Sequence, residues 1–261
     1  MKLSISYTLF DAEEWLEASV SQVRDYADII TVIFQEVSNF GDTCSPELVP
    51  LLKELYDKGM IDKIHRYDPQ LNGRGDLNEL CKRQHGLEIG RQHGCTHHMS
   101  MDVDELYTKE EIEYVIREVE KHDYDSCACQ MLTYYKKPCY ILDPPEEYYV
   151  PLIYKIVPQR NFVFAYPFPV VVDPTRRMPI DNCRIFKRSE IQMHHMSYVR
   201  NYMAKKLNNS SAKVNWESII PDFVERFNHW TPDQKAIMPG PLPFTEYNTI
   251  KVNQLFSTVD Q

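Results

Sequence analysis

The sequence predicts an α/β fold with a mixed central sheet, and three observations predict it. Strand-like and helix-like segments alternate three times between Lys2 and Met101, the pattern of a parallel sheet covered by helices. Ile29-Ile30-Thr31-Val32-Ile33-Phe34 is a β-branched run bounded by polar residues, which suits a strand buried on both faces. Beyond residue 125 longer β-like segments separated by proline-rich loops take over, pointing to a smaller α+β half. The expected organisation is a first half over 1–107, a second over 108–235 and an extended tail over 236–261, all in one compact unit.

Each element has a local reason. Leu3, Ile5 and Tyr7 alternate through a first strand ending near Leu9. Asp11 offers an N-cap with Glu14 as capping-box partner, ahead of Trp15, Leu16, Ala18 and Val23. Ser45-Pro46 opens the next helix, whose stripe is Leu48, Leu51, Leu52 and Leu55, with Gly59 as the C′ residue. A third strand spans Ile61 to Tyr67. A turn at Asn72-Gly73-Arg74-Gly75 then leads into a helix from Asp76 to His93, ending at Gly94. Thr96 to Met101 is the fourth strand, unusually polar for a central position. Thr108 and Glu111 form a capping box before Ile112, Val115, Ile116 and Val119, the strongest helical periodicity in the chain. Strands are expected over Cys127–Tyr135, Val150–Val157 and Phe162–Ala165, and an amphipathic section over His195–Trp230. The tail around Pro239-Gly240-Pro241-Leu242-Pro243 is expected to drape over the surface or contact a partner.

Composition excludes several classes. The 261 residues carry a formal charge of −9, which argues against a general nucleic-acid binder. Seven scattered cysteines read as reduced thiols, and Cys127-x-Cys129 is too tightly spaced for a zinc knuckle. No apolar run reaches the ~20 residues of a membrane span, and no signal-peptide core follows Met1, so the expected compartment is the cytoplasm.

The chemistry centres on Asp102-Val103-Asp104-Glu105, in the turn between the fourth strand and the Thr108 helix. Two carboxylates one residue apart on such a loop can hold a divalent cation against a nucleoside diphosphate. In open α/β sheets ligands bind at this carboxyl edge. Asp123-Tyr124-Asp125 has the same spacing but lies at the opposite edge, so position separates the two. Mn²⁺ or Mg²⁺ takes oxygen ligands, commonly one or two carboxylates with substrate phosphates and water. Asp104 is the expected direct ligand, while Asp102 binds the ribose or reaches the metal through water.

These residues resemble a GT-A-type glycosyltransferase, nearest in layout to family 2. Ser6-Tyr7-Thr8 closes the first strand where that family stacks on or bonds the base, and Gln35-Glu36-Val37-Ser38-Asn39 stands where it keeps an acid that reads the base. Arg83-Gln84-His85-Gly86 resembles its Arg-Asn-x-Gly helix, and Asp102-Val103-Asp104 its metal motif. The sequence departs from the pattern at Gln35, which replaces an acid, and in lacking a glycine after Glu36. The resemblance implies a Rossmann-type nucleotide-sugar-binding half fused to an acceptor-binding half. It implies a nucleoside-diphosphate sugar donor, a glycan or other hydroxyl acceptor, and donor contacts from Tyr7, Thr8, Glu36, Arg83 and Asp102. Metal ligation would fall to Asp102, Asp104 and His195, the last within His194-His195-Met196-Ser197-Tyr198-Val199-Arg200, and an imidazole there favours manganese. Asp181 and Glu190 are candidate bases for the acceptor hydroxyl, with Glu147 a third, and spacing does not choose among them.

Plainer readings stand beside these. Acids before a helix complement its dipole; Arg176-Arg177 and Lys205-Lys206 could bind phosphates but read more readily as solvated faces, and Tyr134-Tyr135 and Tyr148-Tyr149 could stack on a sugar ring but read more readily as strand neighbours. A non-catalytic nucleotide-sugar-binding module keeps the same fold. A nucleotidyltransferase would need a glycine-rich basic loop after the first strand, and Tyr7 to Glu14 has neither glycine nor base. A zinc hydrolase on His97, His98, His194 and His195 lacks any recognised ligand spacing.

Overall fold

The computed structural model describes residues 1–71, 73–240 and 244–258. Asn72 of the expected turn and Pro241 to Pro243 of the expected tail lie outside the described residues. The strands are β1 (Leu3–Leu9), β2 (Ile29–Phe34), β3 (Lys63–Arg66), β4 (His97–Asp102), β5 (Glu105–Leu106), β6 (Ser126–Tyr135), β7 (Lys137–Asp143), β8 (Tyr149–Lys155), β9 (Cys183–Ile185), β10 (Gln192–Tyr198), β11 (Ala236–Pro239) and β12 (Phe244–Lys251). The helices are α1 (Leu16–Val23), α2 (Leu48–Asp57), α3 (Gly75–Gln92), α4 (Lys109–His122), α5 (Met203–Asn209) and α6 (Ile220–His229).

All these strands join one mixed sheet in the order β11-β12-β7-β6-β8-β4-β1-β2-β3, with β9 and β10 against β6, and β5 against β10. The parallel part, β3-β2-β1-β4, carries the first three crossover helices, and β2 is buried throughout as its apolar run predicts. The Thr108–Glu111 capping box forms at α4, and Ile112, Val115 and Val119 are buried.

Several expectations are corrected. Asp11 caps nothing: the first helical turn follows Ala12 in a left-handed conformation, and Asp11 turns instead toward Arg200. Ser45 Oγ accepts from Glu47 N–H at 3.3 Å in the turn that leads in, but the regular helix α2 begins only at Leu48, with Glu47 at its N-cap. Phe162–Ala165 is not a strand; Phe162 and its neighbours pack as an irregular loop on Leu87 and Tyr154. His195 lies in β10, not in a helical section, which begins only at Met203. The tail does not drape: β12 pairs with β7, Ile250 opposite Ile141, and adds a ladder to the sheet.

The polarity of β4 has a packing reason. α3 presents Arg83, Gly86, Leu87 and Gly90 to the sheet, a buried face with little apolar area. A Cβ at Gly86 would overlap the Ser6 side chain, and one at Gly90 would overlap Ser4. The glycines therefore let the helix settle directly on β1. Ser4 and Ser6 reach His98 on β4, at 2.8 Å to Nδ1 and 3.3 Å to Nε2. This small polar layer fixes the height of α3, and Arg83 sits one turn before Gly86.

Two stability predictions follow from that layer. Gly86→Ala should cost about 1–3 kcal/mol, since the helix must lift or Ser6 must move; urea unfolding measures it, and an unchanged midpoint would refute the close-approach account. His98 is fully buried, and burial first, then Arg91 and Arg83, lower its pKa from 6.5 to about 3. The folded protein keeps it neutral while the unfolded chain takes up a proton below 6.5. Stability is therefore flat above that pH and falls as pH drops toward 3. The loss from this group between pH 7 and 5 should be about 2 kcal/mol, and His98→Gln should flatten the pH dependence by that amount.

Candidate functional site

Where the parallel strands end, β1 and β4 stand side by side with Thr8 opposite Asp102. Thr8 Oγ1 donates to Asp102 Oδ1 at 2.5 Å. Arg83, brought in by α3, donates to both oxygens of Asp102 at 3.0 and 3.2 Å. Arg176, from a helical turn at Pro174–Arg176, donates to Asp102 Oδ2 at 2.8 Å and to Glu105 through both terminal nitrogens. Each oxygen of Asp102 thus accepts two hydrogen bonds, the full capacity of a carboxylate. Burial works against its charge, but Arg83 and Arg176 outweigh it and hold the carboxyl well below the usual range. Burial pushes Glu105 the other way, above the usual range, with Arg176 opposing.

Asp104 sits differently. β5 pairs with β10, Glu105 opposite His195, and the Asp104 carbonyl accepts from Met196 N–H at 2.8 Å. That short ladder sets His195 Nε2 4.0 Å from Asp104 Oδ1. Arg200 pairs with the other oxygen, Oδ2, and with Asp11. Burial opposes ionisation of Asp104, but Arg200 and then His195 lower its pKa. Burial lowers the pKa of His195 to about 4, so its imidazole is neutral and has a free lone pair near neutral pH.

Two adjoining cavities open here. The first, about 310 Å³, includes Thr8, Asp102, Asp104, His195, Arg200 and Lys206 in its lining. The second, about 160 Å³, shares Asp102 and His195 and adds Met131, Tyr148, Tyr149 and Asp173. A larger groove of about 780 Å³ shares Asp11 and Arg200 and adds five glutamates, Glu13, Glu14, Glu17, Glu47 and Glu54, against one lysine, Lys205, so its net charge disfavours a phosphate.

Asp104 Oδ1 and His195 Nε2 fit a divalent cation. With bonds of roughly 2.1 Å, adjacent ligands of an octahedral ion lie about 3 Å apart, so the two donors would close in from 4.0 Å on binding it, and the oxygen–nitrogen donor set suits manganese. Among the described residues no three His, Cys, Asp or Glu side chains converge as a complete metal shell, so water and substrate oxygens would have to supply the rest. Asp102 has no lone pair left to give.

The remaining expectations sort by place. Thr8, Asp102, Asp104 and His195 meet at the first cavity, and Arg83 acts from behind Asp102. Tyr7 does not reach it: one residue of alternation turns its ring into the core, where its hydroxyl meets Ser19 at 3.0 Å. Glu36 pairs with Arg66 at 3.1 Å and lines neither cavity. Asp181 is at the opposite edge, paired with Arg160, which also binds Asp125. Glu190 is tied to Arg184 and Tyr114 and lines neither cavity. Glu147 is exposed, and Asp123 pairs with Lys155. His194 is a buried structural residue between Tyr134 and Glu111, His98 lies on β4 under α3, and His97 beside it faces the other side of the sheet. Arg176 and Lys206 are not solvated faces, since the first is 3% exposed in the charge cluster and the second lines the first cavity. Tyr148 and Tyr149 line the second cavity, while Tyr134 and Tyr135 are core.

Glu79, Lys82, Asp173 and Arg200 are site residues that sequence reasoning did not single out. Only Asp173 had a local signal, Asp-Pro-Thr, which here closes a capped turn through Thr175 N–H at 2.8 Å.

No family model matches the chain, and no curated protein does. Solved structures similar to it include S. aureus TarS 1-349, 11% identical with a TM-score of 0.48 over 88% of this chain and 72% of that one. The same protein in complex with UDP-GlcNAc is 12% identical with a TM-score of 0.49, over 88% and 73%. A mannosyltransferase from Pyrobaculum calidifontis in complex with GDP-Man and Mn²⁺ is 10% identical with a TM-score of 0.34, over 52% and 36%. Likeness at this level carries no argument about what the chain binds or does.

Removing Arg176 should be severe, because it strands two carboxylates. Arg176→Met is expected to lose about 3–5 kcal/mol, read from urea unfolding at neutral pH; a loss under about 1 kcal/mol would mean the cluster does not hold this edge together.

Proposed function

We propose that the chain is a metal-dependent glycosyltransferase that moves a sugar from a nucleoside-diphosphate sugar to a hydroxyl acceptor. The observation that carries this reading is the Asp104–His195 pair, at the carboxyl edge of the parallel strands, in a cavity that opens into a second one. Mn²⁺ or Mg²⁺ held by Asp104 and His195 would supply Lewis-acid stabilisation to the departing diphosphate. Lys206 lines the same cavity and, among the described residues, has no ion-pair partner. Its ammonium is suited to a phosphate oxygen. Asp102, saturated by Thr8, Arg83 and Arg176, is a positioning residue that holds the end of β4 still.

The base for the acceptor is assigned to Asp173. Of the acids lining the second cavity, Asp102 and Glu105 are clamped by arginines. Asp173 commits Oδ1 to Thr175, while its Oδ2 has Arg83 only at 3.7 Å. In the proposed step the acceptor oxygen bonds to the anomeric carbon, the bond from that carbon to the phosphate oxygen breaks, and the acceptor proton passes to Asp173. That single displacement inverts the anomeric centre. Tyr148 and Tyr149 offer ring faces to the acceptor.

The test is titration of nucleoside-diphosphate sugars with and without Mn²⁺, followed by transfer assays. Asp104→Asn should weaken manganese-dependent donor binding at least about tenfold. Asp173→Asn should keep donor binding and lower kcat roughly 10²–10⁴-fold. A wild-type protein that binds donor yet neither transfers nor hydrolyses it would be a binding module, and absence of donor binding would end the reading.

A further inference from the structure

Asp173 and Arg176 flank one short helical turn, and both line the second cavity. Thr175, between them, is buried and lines neither cavity. Its N–H donates to Asp173 Oδ1 at 2.8 Å, and its hydroxyl bonds the same oxygen at 2.9 Å. Arg83 Nε, 92 residues earlier on α3, reaches the hydroxyl oxygen at 3.0 Å. The N–H bond is the ordinary cap of a helical turn. The hydroxyl bond satisfies no backbone group, so capping does not account for it.

Chemistry fixes the direction of these bonds. A guanidinium N–H can only donate, so Thr175 Oγ1 accepts from Arg83. The single hydrogen of the hydroxyl then goes to Asp173 Oδ1, which as a carboxylate oxygen can only accept. Turning the carboxylate about its Cβ–Cγ bond would break both of its bonds to Thr175 together. Oδ2, by contrast, has Arg83 only at 3.7 Å. The same guanidinium holds Asp102 through Nη2 and Ser100 through Nη1, so the end of β4 and the Asp173 turn share one anchor.

We infer that Thr175 is a positioning residue for the reaction: with its hydroxyl set by Arg83, it holds the Asp173 carboxylate in the one rotation that leaves Oδ2 for the acceptor proton. This rests on the assignment of Asp173 as base. A general base works only within hydrogen-bond reach of the proton it takes, so a carboxylate that rotates freely spends less of its time competent. Thr175 touches neither donor nor acceptor and acts through Asp173 alone.

The test measures turnover of UDP-glucose, UDP-N-acetylglucosamine and GDP-mannose with Mn²⁺, read as release of nucleoside diphosphate with water as acceptor, beside calorimetric donor binding. The proteins are wild type, Thr175→Val, Thr175→Ser, Asp173→Asn and the double variant Asp173→Asn/Thr175→Val. Thr175→Val keeps the shape and removes the hydroxyl. It should lower kcat about tenfold or more, with donor Kd within about threefold because Arg83 keeps Asp102 and Ser100. Thr175→Ser should hold kcat within about threefold of wild type, and in the double variant valine should cost nothing further, since the two side chains act as a unit. An undiminished kcat in Thr175→Val overturns the inference. So does a loss matched in donor affinity, shared by Thr175→Ser or repeated in full on top of Asp173→Asn, each of which a merely structural threonine would give. Wild-type kcat in Asp173→Asn removes the base assignment and this inference with it, whereas a loss there with none in Thr175→Val removes this inference alone. If wild type turns over none of the three donors, the proposed function falls and carries the inference with it.

Discussion

The structure depends on a cluster of four charges at the end of β4: the buried Arg83, Arg176 and Glu105, and Asp102, whose carboxylate opens to the cavities. It ties together three distant pieces of chain, namely α3, the β4–β5 turn and the helical turn at Pro174–Arg176. Dehydrating two guanidiniums and two carboxylates is expensive, and their attraction offsets the cost only when the geometry is good and the leftover hydrogen-bonding groups are satisfied. Here Thr8, Thr175, Ser100 and the Ser100 carbonyl supply the extra partners. Such a cluster adds little net stability compared with an apolar packing of the same volume. It specifies one arrangement of the strand end, and a site that must present a carboxylate in a fixed direction needs that.

One residue of spacing then separates two roles. Asp102 turns toward the arginines and is consumed by them. Asp104, past the turn, is handed by the β5–β10 ladder to His195 and keeps one oxygen uncommitted. The two acids look equivalent in the sequence, yet the electrostatic environment clamps one and leaves the other an uncommitted oxygen, which in the proposed reading serves the chemistry. The same close packing that lowers α3 onto Ser4 and Ser6 delivers Arg83, so the glycines of that helix belong to the site as much as its charged residues do.

Much of the first half was legible because its signals are local. Apolar periodicity and the Thr108 capping box identify β2 and α4, and the alternation of elements places Asp102 and Asp104 at the carboxyl edge of the sheet. The misses come from non-local causes. Tyr7 and Thr8 are equally good donor contacts on paper, and only the face that α1 covers decides which is turned inward. Arg176 reads as a solvated face because its partners lie far away in the chain, and Lys206 because the cavity it lines is assembled from distant strands. His195 reads as the start of an amphipathic section because β10 exists through pairing with β6 and β5, which no window of sequence contains. The proposed base, Asp173, is hidden for a similar reason, since what distinguishes it from Asp181 and Glu190 is that it lines the second cavity while they pair elsewhere.

Charge balance ties the site to its chemistry in a chain with a formal charge of −9. Asp11, Glu79, Asp102 and Asp104 line the first cavity, against Lys82, Arg200 and Lys206. Behind them Arg83 and Arg176 face Glu105, which brings the whole to near neutrality while His195 is uncharged. A diphosphate arriving in that cavity finds Lys206 as its one uncommitted cation among the described residues, too little to balance its own charge. A divalent ion between Asp104 and His195 reverses the local sign, using the two donor atoms that the arginines leave free. In the proposed reading, then, metal dependence follows from how thoroughly the protein has paired its own charges: the site is rigid because its acids are clamped, and it needs an added cation for the same reason.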